Sequence, residues 1–373
     1  MNQPVPPTGP TVLVAPLDWG LGHATRCIPV VHALLRHDCK VVLAASGKGK
    51  ALLAQEFSDL PLLPLPGYDV HYARSPLTLP FVLAAQIPKI LSAIREENRR
   101  LRDIVRDYRI NAVISDNRYG LYHPSVPTVF MTHQLLIKTT LGTTADRYLQ
   151  KLNYRYINSF TECWVPDDAH DDNLAGDLSH PLLEPSVPLK YIGPLSRFEP
   201  SDKAVAPKHL LVLLSGPEPQ RSLFETLILD QLKEYKGPVV LVRGLPGNTD
   251  RPDVPASVTV YNHLPANELR TQILEASFVV ARCGYSTVMD LAVLQKKSIL
   301  VPTPGQTEQL YLARHLMKRS LALCLEQPRF RLLPALELAA TFPYQTTEAT
   351  GHSHLSSAIK SLCYKIEFGN FSH

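Results

Sequence analysis

The chain has 373 residues, more than one domain of ordinary size, and its length fits two domains. Hydrophobic residues make up 45% and charged residues 19%, a balance typical of globular proteins that excludes extended disorder. The sequence lacks an apolar run of about 18 residues, and its N-terminus lacks the features of a signal peptide. The six cysteines are scattered without a CxxC pair, which predicts reduced thiols, no zinc site and a cytoplasmic protein.

The net charge of +4 is distributed unevenly along the chain. Residues 1–160 carry 18 Lys or Arg and 11 Asp or Glu, so this part holds +7 and the remainder holds −3. A basic first half could face an anionic membrane surface, which would make the protein peripheral at the inner face of a membrane. A solvated helix face over residues 89–109, which hold seven of these positive charges, explains the same pattern. No nucleic-acid partner is expected.

The first half begins with an apolar run at residues 11–16, which predicts a buried parallel strand, and a glycine loop at 18–22 follows it. Helices are predicted near 48–57 and 80–108. Further strands are predicted at 40–45, 111–115, 127–131 and 161–165. This alternation of strands and helices indicates a doubly wound parallel sheet.

The second half repeats this layout, with predicted strands at 209–214, 238–242, 258–260, 277–281, 298–302 and 321–325. The sequence therefore predicts an α/β protein with two Rossmann-like, doubly wound parallel-sheet domains that face each other across a cleft. The predicted parts are a domain at 1–193, a linker at 194–207, a domain at 208–350 and a helical tail at 351–373 that packs back on the first domain. Ligands of such sheets bind at the carboxyl ends of the strands.

One such strand end carries an anion-binding pattern. Arg282 and Gly284 follow the predicted strand, and a helix opens with Ser286 and Thr287. The glycine lets a ligand approach the backbone, and free N–H groups of the helix start suit a diphosphate. Arg282 adds a cation, and the carboxylate of Asp290, in the first turns, could accept two ribose hydroxyls.

The next strand ends in a second polar loop, where Glu308 and Gln309 suit a hydroxyl-rich ligand such as a donor sugar. A glycine at a helix start beside a capping aspartate would be an ordinary structural turn. Two polar loops at adjacent strand ends favour a binding site instead.

Residues 263–313 resemble the C-terminal domain of GT-B fold glycosyltransferases of the peptidoglycan N-acetylglucosaminyltransferase type (family 28). The likeness covers an apolar strand, Arg-x-Gly, Thr, an acidic residue, then a strand, Pro and a Gln-containing helix start. It implies that Arg282, Gly284 and Thr287 cradle the diphosphate. It also implies that Asp290 binds the ribose, where the family more often has Glu, and that Glu308 and Gln309 contact the donor sugar.

The resemblance extends to two neighbouring segments. His263 and Leu264 stand where the family lays backbone and an apolar side chain against the base. Ser215, Gly216 and Arg221 stand in a loop that faces the diphosphate, although two prolines replace glycines there.

The glycine loop of the first half points to catalysis. Gly20 and Gly22 make a tight turn that places His23 at a helix N-terminus, where the dipole is expected to lower its pKa and keep the imidazole neutral as a general base. The turn lacks the third glycine of a dinucleotide fingerprint and continues instead with Thr25 and Arg26, which excludes a nicotinamide enzyme. The turn resembles the acceptor-domain loop of the same family, although a histidine that caps its own helix is the structural alternative.

The glycine loop, with Gly20, Gly22 and Arg26, is also predicted to face the acceptor. Further candidates for the acceptor side follow other strands of the first half, namely Asp116, Asn117, Arg118, His133 and Gln134. No Asp-x-Asp motif stands in a suitable loop, so no metal and no cofactor are predicted. The aspartates at 167, 168, 171 and 172 are expected to form a solvated turn.

These features predict a metal-independent glycosyltransferase that moves a hexose-type sugar from a nucleotide diphosphate donor, UDP-linked by resemblance, to an unidentified acceptor hydroxyl. The resemblance favours inversion at the anomeric carbon and a cell-envelope glycan. Two alternatives remain. The same turn resembles UDP-sugar hydrolases of nonulosonic acid synthesis, which use water as the acceptor, and a nucleotide-sugar binder without catalysis would carry the same donor site.

Overall fold

The computed structural model describes residues 9–68, 86–170, 173–201, 205–346 and 351–369. The chain forms two compact units, whose boundary falls between Leu195 and Ser196. The first unit also includes the described C-terminal residues from 351 onwards, and the second comprises residues up to 346. The start of the helix predicted at 80–108 and the aspartates at 171 and 172 lie outside the described residues.

The first unit is a seven-stranded sheet in which every strand is parallel to its neighbours, in the order β3-β2-β1-β4-β5-β6-β7. Its strands are β1 (Thr11–Pro16), β2 (Lys40–Ala45), β3 (Leu62–Pro64), β4 (Ala112–Asp116), β5 (Thr128–Met131), β6 (Glu162–Val165) and β7 (Leu189–Tyr191). Its helices before the unit boundary are α1 (Gly22–Arg36), α2 (Gly47–Glu56), α3 (Ile87–Asp107) and α4 (Thr143–Ile157).

Burial on both faces explains why the strands at the centre of this sheet are apolar along their length. Five of the six residues of β1 and of β2 are buried, as parallel strands covered by helices on both faces require. Leu13 and Val113 pack in one core cluster with Leu101 of α3. The helix α3 is amphipathic, because Ile94, Glu97 and Leu101 are its buried residues and its basic side chains face solvent.

The second unit is a six-stranded sheet that is also wholly parallel, in the order β10-β9-β8-β11-β12-β13. Its strands are β8 (His209–Leu213), β9 (Val239–Val242), β10 (Val258–Tyr261), β11 (Ala276–Arg282), β12 (Ser298–Val301) and β13 (Leu323–Cys324). Its helices are α5 (Gln220–Leu232), α6 (Ala266–Leu274), α7 (Tyr285–Val293), α8 (Thr307–Lys318) and α9 (Leu332–Thr341). The predicted class of two doubly wound parallel sheets is confirmed.

The sequence missed two strands, β3 and β7, which are three residues long and pair at the edges of the first sheet. β3 ends in a proline and β7 contains a lysine. These short segments become strands because they pair with β2 and β6, and such long-range pairing leaves no apolar pattern in the segments themselves.

The last described helix is α10 (Gly351–Phe368), which packs in the first unit. Ser356 Oγ lies 2.9 Å from Nε2 of His37, and Lys190 Nζ donates to Ser361 Oγ at 2.9 Å. Lys365 of this helix forms an ion pair with the buried Glu162. These contacts return the C-terminal end of the chain to the unit in which the chain begins. None of the helices within the described ranges is long and apolar enough to cross a membrane.

Candidate functional site

In the first unit, a candidate site forms where α1 begins beside the end of β4. Pro16 and Asp116 are register partners at the ends of β1 and β4, so the loop after β1 starts next to Asp116. Gly20, with φ of 73°, allows the turn that leads to Gly22, the first residue of α1. This turn places His23 Nδ1 3.0 Å from Oδ2 of Asp116.

Arg26, one turn further along α1, holds the same carboxylate. Its Nε donates to Oδ1 and Oδ2 of Asp116 at 2.9 and 2.8 Å, and both side chains are buried. Burial alone would raise the pKa of Asp116, but Arg26 and His23 hold that pKa below its usual value. Asp116 is therefore an ionised carboxylate, fixed in position next to the imidazole.

The environment of His23 favours the neutral imidazole. Burial first and the charge of Arg26 second lower the pKa of His23. Its Nδ1 faces both Asp116 and, at 2.8 Å, Nη2 of Arg26, so the tautomer decides between donating to the carboxylate and accepting from the guanidinium. The tautomer that donates to Asp116 leaves the Nε2 lone pair for a proton. The side chain is 14% exposed, so it is partly accessible to solvent.

His133 also belongs to this cluster, through a contact with Arg26 that no local sequence pattern indicates. It follows β5, it is buried, and its Nδ1 lies 3.2 Å from Nη1 of Arg26. Arg26, Asp116 and His133 were predicted to face the acceptor. Their burial argues against that role. Arg26 contacts both Asp116 and His133, and Arg26 and Asp116 contact His23.

Two other predictions for the first unit were wrong. Arg118 is buried, and it bonds the main chain of Pro16 and Pro66 and pairs with Glu97, so it ties strand ends together and does not face an acceptor. Asp167 and Asp168 are also buried. Asp167 accepts hydrogen bonds from main-chain N–H groups up to Ala175 and therefore shapes the loop after β6.

In the second unit, a separate candidate site forms where β11 meets α7. Gly284 is the N-terminal capping residue of α7 and has an ordinary φ of −83°, and a Cβ built on it would meet no atom within 4 Å. Neither backbone strain nor crowding therefore requires glycine here. Ser286 and Thr287 are half-buried in the first turn of α7. A ligand that approaches the helix start closely would explain the missing side chain.

Arg282 does not lie where the sequence placed it. Its side chain is buried, its Nη2 donates to the carbonyl of Gln220 at 2.9 Å, and its Nη1 points to the carbonyls of Val301 and Pro302 at 3.4 Å. The guanidinium also stacks over the ring of Phe224 at 4.1 Å. These partners favour a role for Arg282 within the protein, and its predicted contact with a diphosphate stays a prediction. Arg282 joins the start of α5 and the end of β12 to the strand that leads to Gly284.

Arg221 is likewise occupied within the protein. It is buried, and it pairs with Glu218 at 2.6 Å and with Glu225 at 3.1 Å. Glu225 also pairs with Arg243. Glu218 and the shared Glu225 therefore hold Arg221 within the protein, and its predicted contact with a phosphate stays a prediction. Ser215 stays half-buried and Gly216 exposed in the preceding loop, where Gly216 has a φ of 107° that favours glycine.

Asp290 lies in α7 with two partners from the segment that begins the second unit. It accepts a hydrogen bond from Ser196 Oγ at 2.7 Å, and Arg197 Nε lies 3.5 Å from its Oδ2. Burial raises the pKa of Asp290, although Arg197 opposes that shift. No local pattern in the sequence marks Arg197, because the residue stands in the predicted linker, 93 positions before the carboxylate with which it pairs.

The loop between β12 and α8 contains both predicted sugar contacts, and the structure separates their roles. Gln309 is buried, its Oε1 accepts from the main-chain N–H of Thr303 at 2.8 Å, and its Nε2 donates to Gln306. Gln309 therefore shapes the loop, which corrects the predicted contact with a sugar. Glu308 is half-buried at the first turn of α8, where it remains a candidate.

A cavity of about 460 Å³ lies at the ends of β9 and β10. Its lining includes His263, Asn262, Tyr261, Asn248 and Arg251. Burial lowers the pKa of His263, and Arg197 adds to that effect. Leu264 is buried next to this lining and does not reach it.

The described ranges contain no group of three or more His, Cys, Asp or Glu side chains arranged to hold a metal ion. All six cysteines are free, and four of them are buried.

A known protein family matches much of the second unit and part of the C-terminal helix α10. Residues 248–361 match the model of the glycosyltransferase family 28 C-terminal domain. A search of curated protein sequences gave no match. The prediction of a glycosyltransferase is confirmed at the level of the enzyme class.

Solved structures with this architecture cover nearly the whole chain. The glycotransferase of kitacinnamycin aligns at 15% identity and a TM-score of 0.62, with 96% of each chain covered. MurG of Acinetobacter baumannii aligns at 15% identity and a TM-score of 0.54, with 95% of this chain and 99% of that chain covered. VinC in complex with dTDP aligns at 15% identity and a TM-score of 0.57, with 96% and 95% covered. These likenesses establish the GT-B fold.

Proposed function

We propose that this chain transfers a hexose-type sugar from a UDP-linked donor to a hydroxyl group of an acceptor, with inversion at the anomeric carbon. The observation that carries the proposal is the pairing of His23 with a buried, ionised Asp116 at the start of α1. Such a pair orients an imidazole so that one ring nitrogen can accept a proton. The second unit binds the donor in this proposal.

In the proposed donor site, the diphosphate lies at the start of α7, where Gly284, Ser286 and Thr287 present main-chain N–H groups and the helix dipole attracts negative charge. The ribose lies near Asp290 and Arg197. The cavity beside His263 takes the base, and Glu308 meets the sugar. VinC in complex with dTDP supports a nucleoside diphosphate as the ligand of this fold.

The proposed reaction uses this chain's residues in one displacement. Nε2 of His23 takes the proton of the acceptor hydroxyl while that oxygen attacks the anomeric carbon. The bond between the anomeric carbon and the diphosphate oxygen breaks, and its electron pair leaves with UDP. The start of α7 stabilises the charge that develops on the leaving diphosphate. No metal takes part in this proposal.

The rival proposal is hydrolysis, in which water replaces the acceptor and His23 activates it. UDP release measured with several UDP-sugars, with and without candidate acceptors, separates the two. Transfer predicts release that depends on the acceptor, whereas acceptor-independent release of UDP and free sugar would establish the hydrolase. Cell-envelope glycan precursors are the first acceptors to test, and the six free thiols favour the cytoplasm as the site of reaction. The same assay with EDTA tests metal independence, and complete inhibition that Mg²⁺ reverses would contradict it.

The pH dependence of kcat/KM is expected to report His23. The base must be neutral, and its pKa lies below the ordinary histidine value of 6.5 because of burial and Arg26. Activity should therefore persist below pH 6.5 and fall only as the pH drops through the lowered pKa. Asp116→Asn removes a charge that raises this pKa, so the acidic limb should move further down. An acidic limb above pH 6.5 in the unsubstituted protein would contradict the assignment.

Gly284→Val is expected to weaken UDP binding about tenfold, because a side chain at the start of α7 takes up space that the diphosphate needs. The fold should tolerate the change at a cost of about 1 kcal/mol, since the φ is ordinary and the space is open. The UDP affinity of Gly284→Ala should lie between that of the unsubstituted protein and that of the valine variant. Calorimetric titration with UDP and thermal unfolding measure both effects. Unchanged UDP affinity in the valine variant would remove Gly284 from the donor site.

A further inference from the structure

The C-terminal helix α10 packs on the first unit through noncovalent contacts. Its buried apolar side chains form one stripe, because they recur at spacings of three and four residues; they are Leu355, Ala358, Ile359 and Leu362. The polar contacts of Ser356, Ser361 and Lys365 add to this packing. The described residues of the second unit all precede α10 in the sequence, so these contacts join two distant parts of the chain.

Two thiols meet where α10 reaches the first unit. Sγ of Cys39, in the residue before β2, lies 3.6 Å from Sγ of Cys363 in α10, although the two residues are 324 positions apart. The two sulfur atoms are in van der Waals contact, and a small movement of either side chain would bring them to the bonding distance of about 2 Å. Cys39 is buried, whereas Cys363 is half-buried and partly accessible to solvent.

A second thiol contact, between Cys283 and Cys324, differs from this one in its place in the fold. Cys283 follows β11 and Cys324 ends β13, so both belong to the sheet of the second unit, where β12 already joins the two strands. A bond between them would close a much shorter loop of the chain. The contact between Cys39 and Cys363 is therefore the one whose covalent closure would constrain the chain most.

We propose that Cys39 and Cys363 form a reversible disulfide, which locks α10 onto the first unit when low-molecular-weight disulfides accumulate. Cys363, the more accessible thiol, attacks a disulfide such as oxidised glutathione as a thiolate, which forms a mixed disulfide and releases one glutathione. The thiol of Cys39 then loses its proton and attacks the Cys363 sulfur, and the second glutathione leaves and takes up a proton. Two protein thiols are thereby oxidised, and one glutathione disulfide is reduced to two thiols.

The surroundings of the pair set how readily it reacts. Burial, and after it the neighbouring Cys363, raise the pKa of Cys39 to about 12, so Cys39 is rarely a thiolate at neutral pH. The reduced pair should therefore persist in a reducing compartment. Once Cys363 carries a mixed disulfide, closure is intramolecular and is favoured by the proximity of the two sulfur atoms.

The experiment incubates the full chain with oxidised glutathione, alkylates the remaining thiols and identifies linked peptides by mass spectrometry. The peptide that contains Cys39 should be linked to the peptide that contains Cys363. Because a closed loop of this length restricts the unfolded chain, Tm should rise by about 10 °C, and dithiothreitol should reverse the rise. Cys363→Ser and Cys39→Ala should each abolish both the link and the rise in Tm. Cys363 is only half-buried, so reduced Cys363→Ser should unfold within a few degrees of the reduced unsubstituted protein.

The matched control is Cys324→Ser, which removes a half-buried thiol of the second unit. This variant should keep both the link between Cys39 and Cys363 and the full rise in Tm. Three results would overturn the proposal. They are a glutathione adduct on Cys363 that never proceeds to the link, a link that joins Cys283 and Cys324 instead, and a rise in Tm that persists in Cys363→Ser.

Discussion

His23→Ala is expected to lower kcat about 1000-fold while the affinity for UDP stays unchanged. The reason is positional, because the imidazole is held by Asp116 in the first unit, whereas the donor ligands are proposed in the second. A group that takes a proton only in the transition state affects kcat, and its loss leaves ground-state binding of the nucleotide intact. Acceptor-dependent UDP release gives kcat, and calorimetric titration gives the dissociation constant for UDP.

Asp116→Asn sharpens this test, because asparagine keeps the shape of the side chain and removes the charge. It should lower kcat less than His23→Ala does, since the imidazole remains but its tautomer is no longer fixed. In the double variant the two effects should not add, because they act through one imidazole. If His23→Ala kept more than a tenth of the activity, or if the two substitutions simply added, the proposed base would be wrong.

The sequence predicted those parts of the fold that depend on local pattern. Buried parallel strands such as β1 and β8 appear as continuous apolar runs, and the glycine loop before His23 stands at the end of one of them. The edge strands β3 and β7 left no such pattern, because three residues with a proline or a lysine do not form an apolar run. Local composition therefore predicted the centre of the first sheet better than its edges, whereas in the second sheet the edge strands β10 and β13 were predicted as well.

The side-chain partners were the part of the site that the sequence could not predict. Asp116 stands 93 positions after His23 and 90 after Arg26, and nothing local indicates that the three meet. Charged residues next to strand ends were therefore assigned to ligands. The structure pairs several of them inside the protein instead, including Arg118 with Glu97 and Arg221 with Glu225. A cation at a strand end is thus a ligand candidate only when no internal carboxylate or carbonyl binds it.

Arg282 is the clearest example of a cation at a strand end that is bound inside the protein. Arg282→Ala is expected to lower the free energy of unfolding of the second unit by about 3 kcal/mol. Burial lowers the pKa of Arg282 to about 10, so the side chain remains charged at neutral pH. It donates hydrogen bonds to carbonyls at the start of α5 and the end of β12. Its removal leaves those carbonyls without this donor and leaves a cavity beside Phe224. Arg282→Met keeps much of the volume, so it should cost less than alanine. Denaturant unfolding measures both.

The affinity for UDP decides between the two roles of Arg282. A residue that only supports the loop before Gly284 should leave UDP binding of the folded Arg282→Met protein within a few-fold of normal. A residue that touches the diphosphate should instead cost at least tenfold in affinity in the methionine variant, with little change in stability. Calorimetric titration at a temperature where both proteins are folded separates these outcomes. An unchanged UDP affinity would leave the main chain at the start of α7 as the proposed diphosphate site, with Arg282 as its buried support.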